Sequence, residues 1–311
     1  MCRISHDQIL IYEAYPTGGG YRSERQIENE RNLTRGDYNG YMSPKTKAKV
    51  KKYLATWVDS VHMIRNSPTV QKRLDRVPLL TFVTLTLPAK QEHPDNEIKR
   101  KLLTPYIATL QRKYGVEHYF WRAEAQANGN IHFHLIVDSF VEWRAVRDDW
   151  NRCVNKLGYV DRFEAVHGHR DPNSTDIHGL GNVRSVASYI IKYCCKEDGY
   201  RPIEGRIHGC SDGLRSLTPY EDYMVDNELP KFVENAMNDD QSTIIEKEDF
   251  TIIKCSTKKM LQKYSPKTYK KVVKHKINSV FQLYCPEPPE IVTEYRQKIE
   301  RKRLIQLELF S

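Results

Sequence analysis

The chain has 311 residues, 39% of them hydrophobic and 29% charged, which allows a buried core and either one large domain or two smaller ones. A formal net charge of +9 favours a polyanionic partner such as nucleic acid. No apolar run approaches the roughly 20 residues that cross a bilayer, MCRISHDQIL lacks a signal-peptide pattern, and the seven cysteines include no CxxC pair, so neither a membrane partner, a disulfide framework nor a zinc ribbon is expected, and a cytoplasmic location is.

Residues 1–42 carry glycine, polar residues and charge and read as extended or poorly ordered. A helix is predicted from Ser43, with a serine N-cap, Pro44 at the first helical position, and Val50, Tyr53, Leu54, Trp57, Val61 and Ile64 at helical spacing. PLLTFVTLTLP, residues 78–88, reads as a buried strand closed by prolines. Residues 95–115 read as a helix with a kink at Pro105 and a stop at Gly115. Two strands, 116–126 and 131–138, flank ANGN and suggest a hairpin. Residues 141–158 form an amphipathic helix, 159–168 another strand, 169–182 a polar loop, and 183–199 a helix ending near Gly199. The order β-α-β-β-α-β-α predicts an α+β fold, an antiparallel sheet with packed helices. Beyond Gly199 the chain is first acidic, over 212–249, then lysine-rich without acid over 254–276, with a last charged helix near 290–306. Three regions are expected: an extension at 1–77 with one amphipathic helix, a core at 78–200, and a second extension at 201–311, the extensions mainly helical. No GxxxxGK[ST] motor motif is present in the sequence.

IHFHLIV places His132 and His134 two apart on a strand, so both imidazoles leave the same face. Glu124 lies eight residues before His132 on the partner strand, and the turn decides whether it joins them. A two-residue turn at Asn128-Gly129 points Glu124 away. A three-residue NGN loop, pairing 124 with 134, brings it to the histidine face. A carboxylate and two imidazoles with open positions suit Mg²⁺ or Mn²⁺ bound to a substrate phosphate.

SYIIKYCCKE carries Tyr189, Lys192, Tyr193 and Lys196, which share one arc of about 100° on a helix. A solvated stripe has this pattern, and so does a pair of nucleophiles. A tyrosine hydroxyl, with a pKa of roughly 10, needs a nearby cation to act as a nucleophile at neutral pH. Two lysines flank Tyr193, which favours it for a first cut, with Tyr189 serving a second.

Taken in order, FVTLTLP, EAQANGNIHFHLIV and YIIKYCCKE resemble the three motifs of the HUH endonucleases that initiate rolling-circle replication, in the two-tyrosine form of microvirus and filamentous-phage gene II-like initiators. The resemblance covers about 80–200. It implies an RRM-like sheet with a metal bound by His132, His134 and Glu124, and catalysis by Tyr193 and Tyr189 with Lys192 and Lys196. It also implies Thr84 and Thr86 near bound DNA, and a 5′-phosphotyrosyl intermediate from which strands are rejoined. The implied partner is single-stranded DNA at a phage or plasmid origin in a bacterial cytoplasm, with a host helicase and polymerase. Lys258, Lys259, Lys270, Lys271 and Lys274 are candidate phosphate contacts. The alternatives are an HUH transposase, or a non-catalytic RRM-like binder that stacks bases on Tyr119 and Trp121.

Overall fold

The computed structural model describes residues 1–5, 8–12, 39–179, 200–222, 228–246 and 250–285. Strands β1 (Cys2–Ile4) and β2 (Gln8–Tyr12) are followed by helix α1 (Pro44–Arg65), in which the Ser43 side chain accepts from the Thr46 N–H, and by the single turn α2 (Pro68–Gln71). β3 (Thr81–Leu85) leads to α3 (Asp95–Ile98), a π-turn at Lys99–Leu103, and α4 (Thr104–Tyr114), which Gly115 ends in the left-handed conformation. The expected kink is therefore a π-turn just before Pro105, whose missing N–H cannot continue the ladder. Next come β4 (Tyr119–Ala125), β5 (Ile131–Val137), α5 (Trp143–Val154), α6 (Tyr159–His167) and β6 (Thr175–Gly179). The chain continues as β7 (His208–Cys210), β8 (Tyr220–Asp222), α7 (Glu228–Met237), β9 (Thr243–Glu246), β10 (Phe250–Lys254), α8 (Thr257–Tyr264) and α9 (Pro266–Tyr284).

The strands form two antiparallel sheets, an α+β fold. The central sheet has the order β6-β3-β5-β4-β7 and the outer sheet the order β8-β1-β2-β10-β9. On the central sheet, Phe133 leaves one face and packs edge-on against Trp150 of α5, which meets Tyr106 of α4 at 5.0 Å. Helices α4 and α5 thus cover that face. At one end of the opposite face, Tyr53 of α1 meets Phe120 at 6.2 Å. Trp57 of α1 donates its Nε1 proton to the Tyr284 hydroxyl of α9 at 2.8 Å, joining the two helices. The outer sheet has its own core of Cys2, Ile4, Ile9 and Ile253 with Phe232 of α7 and Leu261 of α8.

Two expectations are corrected. Residues 159–167 are helix, not strand: the Asn155 side chain accepts the N–H groups of Val160 and Asp161, and Gly168 ends the turn in the left-handed region. Tyr, Val and Phe gave this segment a strand-like composition, but Tyr159 and Val160 bury themselves from a helix start. The strand lies farther on, as β6, inside what reads as a polar loop. An edge strand can bury little, and only Ile177 of TDIHG is apolar. Among the described residues the regions outside 78–200 are mainly helical, as expected, with α1, α7, α8 and α9, and they also carry short strands. Strands of three to five residues from both chain ends pair across more than 200 positions of sequence, as in Arg3 opposite Glu221, to build the outer sheet.

Candidate metal centre

The β4–β5 hairpin sets the site. Gln126 N–H bonds Asn130 O at 2.8 Å and Gly129 N–H bonds Gln126 O at 2.9 Å, leaving Ala127, Asn128 and Gly129 as a three-residue turn. Gly129 sits at φ 82°, where a side chain would be strained. The loop is odd, as a shared face requires, but it starts one residue earlier than the NGN reading. Glu124 therefore pairs with His132, and Arg122 with His134. Because partners across a ladder share a face, one side of the sheet carries Glu124, Arg122 and Phe120 of β4, His132 and His134 of β5, Thr84 and Phe82 of β3, Asp176 and His178 of β6, and His208 of β7.

Glu124 Oε1 accepts from His132 Nε2 at 2.7 Å and from His134 Nε2 at 3.1 Å, and the two rings lie 4.5 Å apart. The three side chains are 12%, 12% and 5% exposed. Burial would raise the Glu124 carboxyl, but the two imidazole hydrogen bonds outweigh it and hold the group well below the usual carboxylate range. Burial is the main reason that His134 sits below an ordinary histidine, with the neighbouring His132 adding to it and the bonds from Glu124 opposing it. An ionised carboxylate beside a histidine kept neutral is the protonation pattern a divalent cation needs.

Second partners orient the set. With His134 Nε2 donating to Glu124, Nδ1 accepts the Thr84 hydroxyl at 3.2 Å, and the ring stacks on Phe82 at 5.5 Å. If Nε2 turns to a cation, the imidazole proton can move to Nδ1 and the Thr84 oxygen accept it. His132 Nδ1 is buried without a hydrogen-bond partner among the described residues. The two imidazole nitrogens and one carboxylate form a donor set that can hold a metal ion.

A second group of ligand-type side chains, Glu117, His118 and Asp138, stands at the far end of the same two strands. Its groups are already engaged. His118 Nε2 donates to Leu283 O at 2.7 Å, and the Asp138 carboxylate accepts the N–H groups of Glu117 and His118 at 3.0 Å each.

The other sequence-predicted residues fall as follows. Thr86 lies just past β3 and donates its hydroxyl to Ser174 O at 3.0 Å, while Thr84 serves His134. Trp121 is buried on the face opposite the histidines, against Phe133, and Tyr119 is half-buried beside it, which leaves neither as an open stacking platform. Lys258 and Lys259 are exposed on α8, and Lys270, Lys271 and Lys274 on α9. The segment lacks acid in sequence, yet Asp222 of β8 reaches Lys271 at 3.1 Å. Tyr189, Lys192, Tyr193 and Lys196 lie outside the described residues. Two buried polar residues of consequence, Asp95 and Lys99, carry no pattern in the sequence that marks them: PDNE is an ordinary helix start, and Lys99 is one of three basic residues in IKRK.

Residues 80–198 match the family model of replication-associated proteins of the ORF2 and gene II protein type. Over that stretch, which holds the metal-type triad and both tyrosines, the chain is similar to replication-associated proteins, and the match points to a part in DNA replication. No curated protein and no solved structure matches the chain. Among the described residues no helix is long and apolar enough to cross a membrane.

Proposed function

We propose that the protein is a metal-dependent, site-specific nickase and strand transferase acting on single-stranded DNA, which initiates rolling-circle replication of a phage or plasmid. The observation that carries this reading is the Glu124–His132–His134 cluster on one face of the central sheet, inside the stretch that matches replication-associated proteins. Glu124, His132 and His134 would hold Mg²⁺ or Mn²⁺, which when bound neutralises charge on the scissile phosphate and polarises it. Thr84 keeps His134 aimed at that position. The Tyr193 oxygen, helped by the ammonium groups of Lys192 and Lys196, attacks phosphorus as its hydroxyl proton is lost. The bond from phosphorus to the 3′ oxygen breaks, and that oxygen leaves as a 3′-OH after taking up a proton. The 5′ phosphate stays esterified to tyrosine, so the phosphoester is conserved and a later 3′-OH can reverse the step. Tyr189 would serve the second cut. A host helicase would unwind the duplex.

Incubation with origin-type oligonucleotides and Mn²⁺ should give a protein–DNA adduct that survives SDS, with mass spectrometry placing it on Tyr193 and a Tyr193→Phe variant losing the first adduct. An undiminished adduct after Tyr189→Phe and Tyr193→Phe together would overturn the tyrosine assignment, and no adduct from the wild type with any substrate would leave a non-catalytic binder. An HUH transposase would form the same adduct but on the hairpin ends of a mobile element.

The lysines of α8 and α9 extend the reading to DNA affinity. Neutralising Lys258, Lys259, Lys270 and Lys274 should weaken binding and lower the slope of log K against log salt by about 0.7 for every phosphate of the single strand left without its cation. An unchanged slope removes these helices from the DNA path.

A further inference from the structure

The eight residues 200–207 form a strap along the edge of β4 that leads into β7. Tyr200 N–H reaches Ala125 O at 3.4 Å, and Ile207 O accepts the Ala123 N–H at 2.8 Å. Ile203 N–H bonds Gly40 O at 3.1 Å, and a side chain at Gly40 would collide with Pro202. Two buried charges hold this strap. Asp95, 3% exposed at the start of α3, takes both Arg201 guanidinium NH groups at 2.8 Å in a bidentate pair, and its Oδ2 also accepts the Glu204 N–H at 3.0 Å. Lys99, 7% exposed at the head of the π-turn, donates to Glu204 O and to Arg206 O, the latter at 2.9 Å.

The same network grips the metal hairpin. Arg201 Nε donates to Gly129 O at 2.8 Å, in the three-residue turn. Gln91, whose Nε2 donates to Asp95 Oδ1 at 2.8 Å, uses its Oε1 to accept the Ile131 N–H at 2.6 Å, one residue before His132. One buried carboxylate thus ties the turn and the base of β5 to the strap, whose second residue is Arg201. The strap begins directly after residues 180–199, which carry Tyr189 and Tyr193.

We infer that Asp95 and Arg201 are positioning residues of the nicking reaction. Resting on the proposed function, they fix the C-terminal root of the tyrosine-bearing segment at one place relative to the Glu124–His132–His134 cluster. The buried Asp95 carboxylate and five hydrogen bonds from Arg201 fasten that root to the turn and to α3. A bidentate arginine supplies this where a lysine, with a point charge, cannot.

The experiment compares the full-length wild type with Arg201→Lys and Asp95→Asn. The first readout is the single-turnover rate of adduct formation with Mn²⁺ and a saturating oligonucleotide. The second is Mn²⁺ affinity by calorimetry. The third is the distance from Mn²⁺ to a spin label at position 200, a residue 78% exposed. Adduct formation should slow at least tenfold in both variants and the distance distribution should broaden, while Mn²⁺ affinity and oligonucleotide affinity stay within about twofold. Wild-type rates in both variants would overturn the inference, and so would a loss of Mn²⁺ affinity equal to the loss of rate, since that marks a merely structural role. A wild type that binds Mn²⁺ with one narrow distance but never links to DNA sinks the nuclease reading instead.

Discussion

Two clusters of nearly the same composition stand on the β4–β5 hairpin, Glu124–His132–His134 at one end and Glu117–His118–Asp138 at the other. In the second, protein groups already use the atoms a cation would need: the His118 ring bridges Ser211 and Leu283 O, and Asp138 caps two backbone N–H groups while Arg76 approaches it at 3.4 Å. In the first, the two Nε2 atoms and the carboxylate turn toward one another, with Thr84 behind His134. Ligand-type residues within reach therefore do not by themselves make a metal site. What separates the two clusters is whether the side-chain atoms turn toward one point or fasten the chain.

The sharpest break of this comparison is to remove one histidine from each cluster. His132→Ala or His134→Ala should lower Mn²⁺ affinity more than about 100-fold, past the 10–100-fold typical of outer-shell changes, and abolish adduct formation. His118→Ala should leave Mn²⁺ affinity unchanged and instead cost on the order of 1 kcal/mol of stability, because Leu283 O and Ser211 lose a partly buried partner. Calorimetric titration with Mn²⁺ beside denaturant unfolding reads both. Equal losses of Mn²⁺ affinity in the two clusters would erase the distinction.

How much of this was legible in the sequence follows from the range of the interactions. The histidine pair could be read because strand alternation is local: residues two apart share a face whatever the rest does. Glu124 could be read only conditionally, since its face depends on the parity of a turn, and the hydrogen bonds of Gln126 and Gly129 settled the turn one residue away from NGN. The outer sheet could not be read, because Cys2–Ile4 gains its meaning from Tyr220–Asp222, and three-residue strands leave no periodicity. The strap was hidden for the same reason: Asp95 and Arg201 are 106 positions apart. Helix α6 misled because aromatic and β-branched residues favour strands on average, whereas here the Asn155 side chain and Gly168 fix a helix start and stop.

A third histidine on the triad's face, half-buried in β7, tests whether environment or proximity assigns the role. Burial, reinforced by Arg215, Arg206 and Arg122, lowers His208 to about 4. Between roughly pH 6.5 and that value the unfolded chain holds a proton on this residue that the folded chain does not, so stability rises with pH there and falls on acidification. The loss on going from pH 7 to pH 4 should be no more than about 3 kcal/mol. His208→Gln should flatten the stability profile over that window without changing Mn²⁺ affinity at pH 7. A profile unchanged by the substitution would mean that His208 titrates alike in both states.

The smallest effect is the most specific to the idea that convergence makes the site. Thr84 touches no ligand atom that faces the cluster. It meets only the back nitrogen of His134, at 3.2 Å across the β3–β5 ladder, where Thr84 is the register partner of His134. Thr84→Val keeps the β-branched shape and the strand, and removes one hydroxyl. The imidazole then lacks the partner that holds its Nδ1 while Nε2 meets a cation, and burial leaves water little room to replace it. Mn²⁺ affinity should fall about tenfold, at the lower end for an outer-shell partner. The thermal midpoint should stay close to that of the wild type, and Thr84→Ser should recover most of the affinity. If Thr84→Val binds Mn²⁺ as tightly as the wild type, His134 is held by its stacking on Phe82 and its bond to Glu124, and the hydroxyl belongs with the fastening contacts of the second cluster.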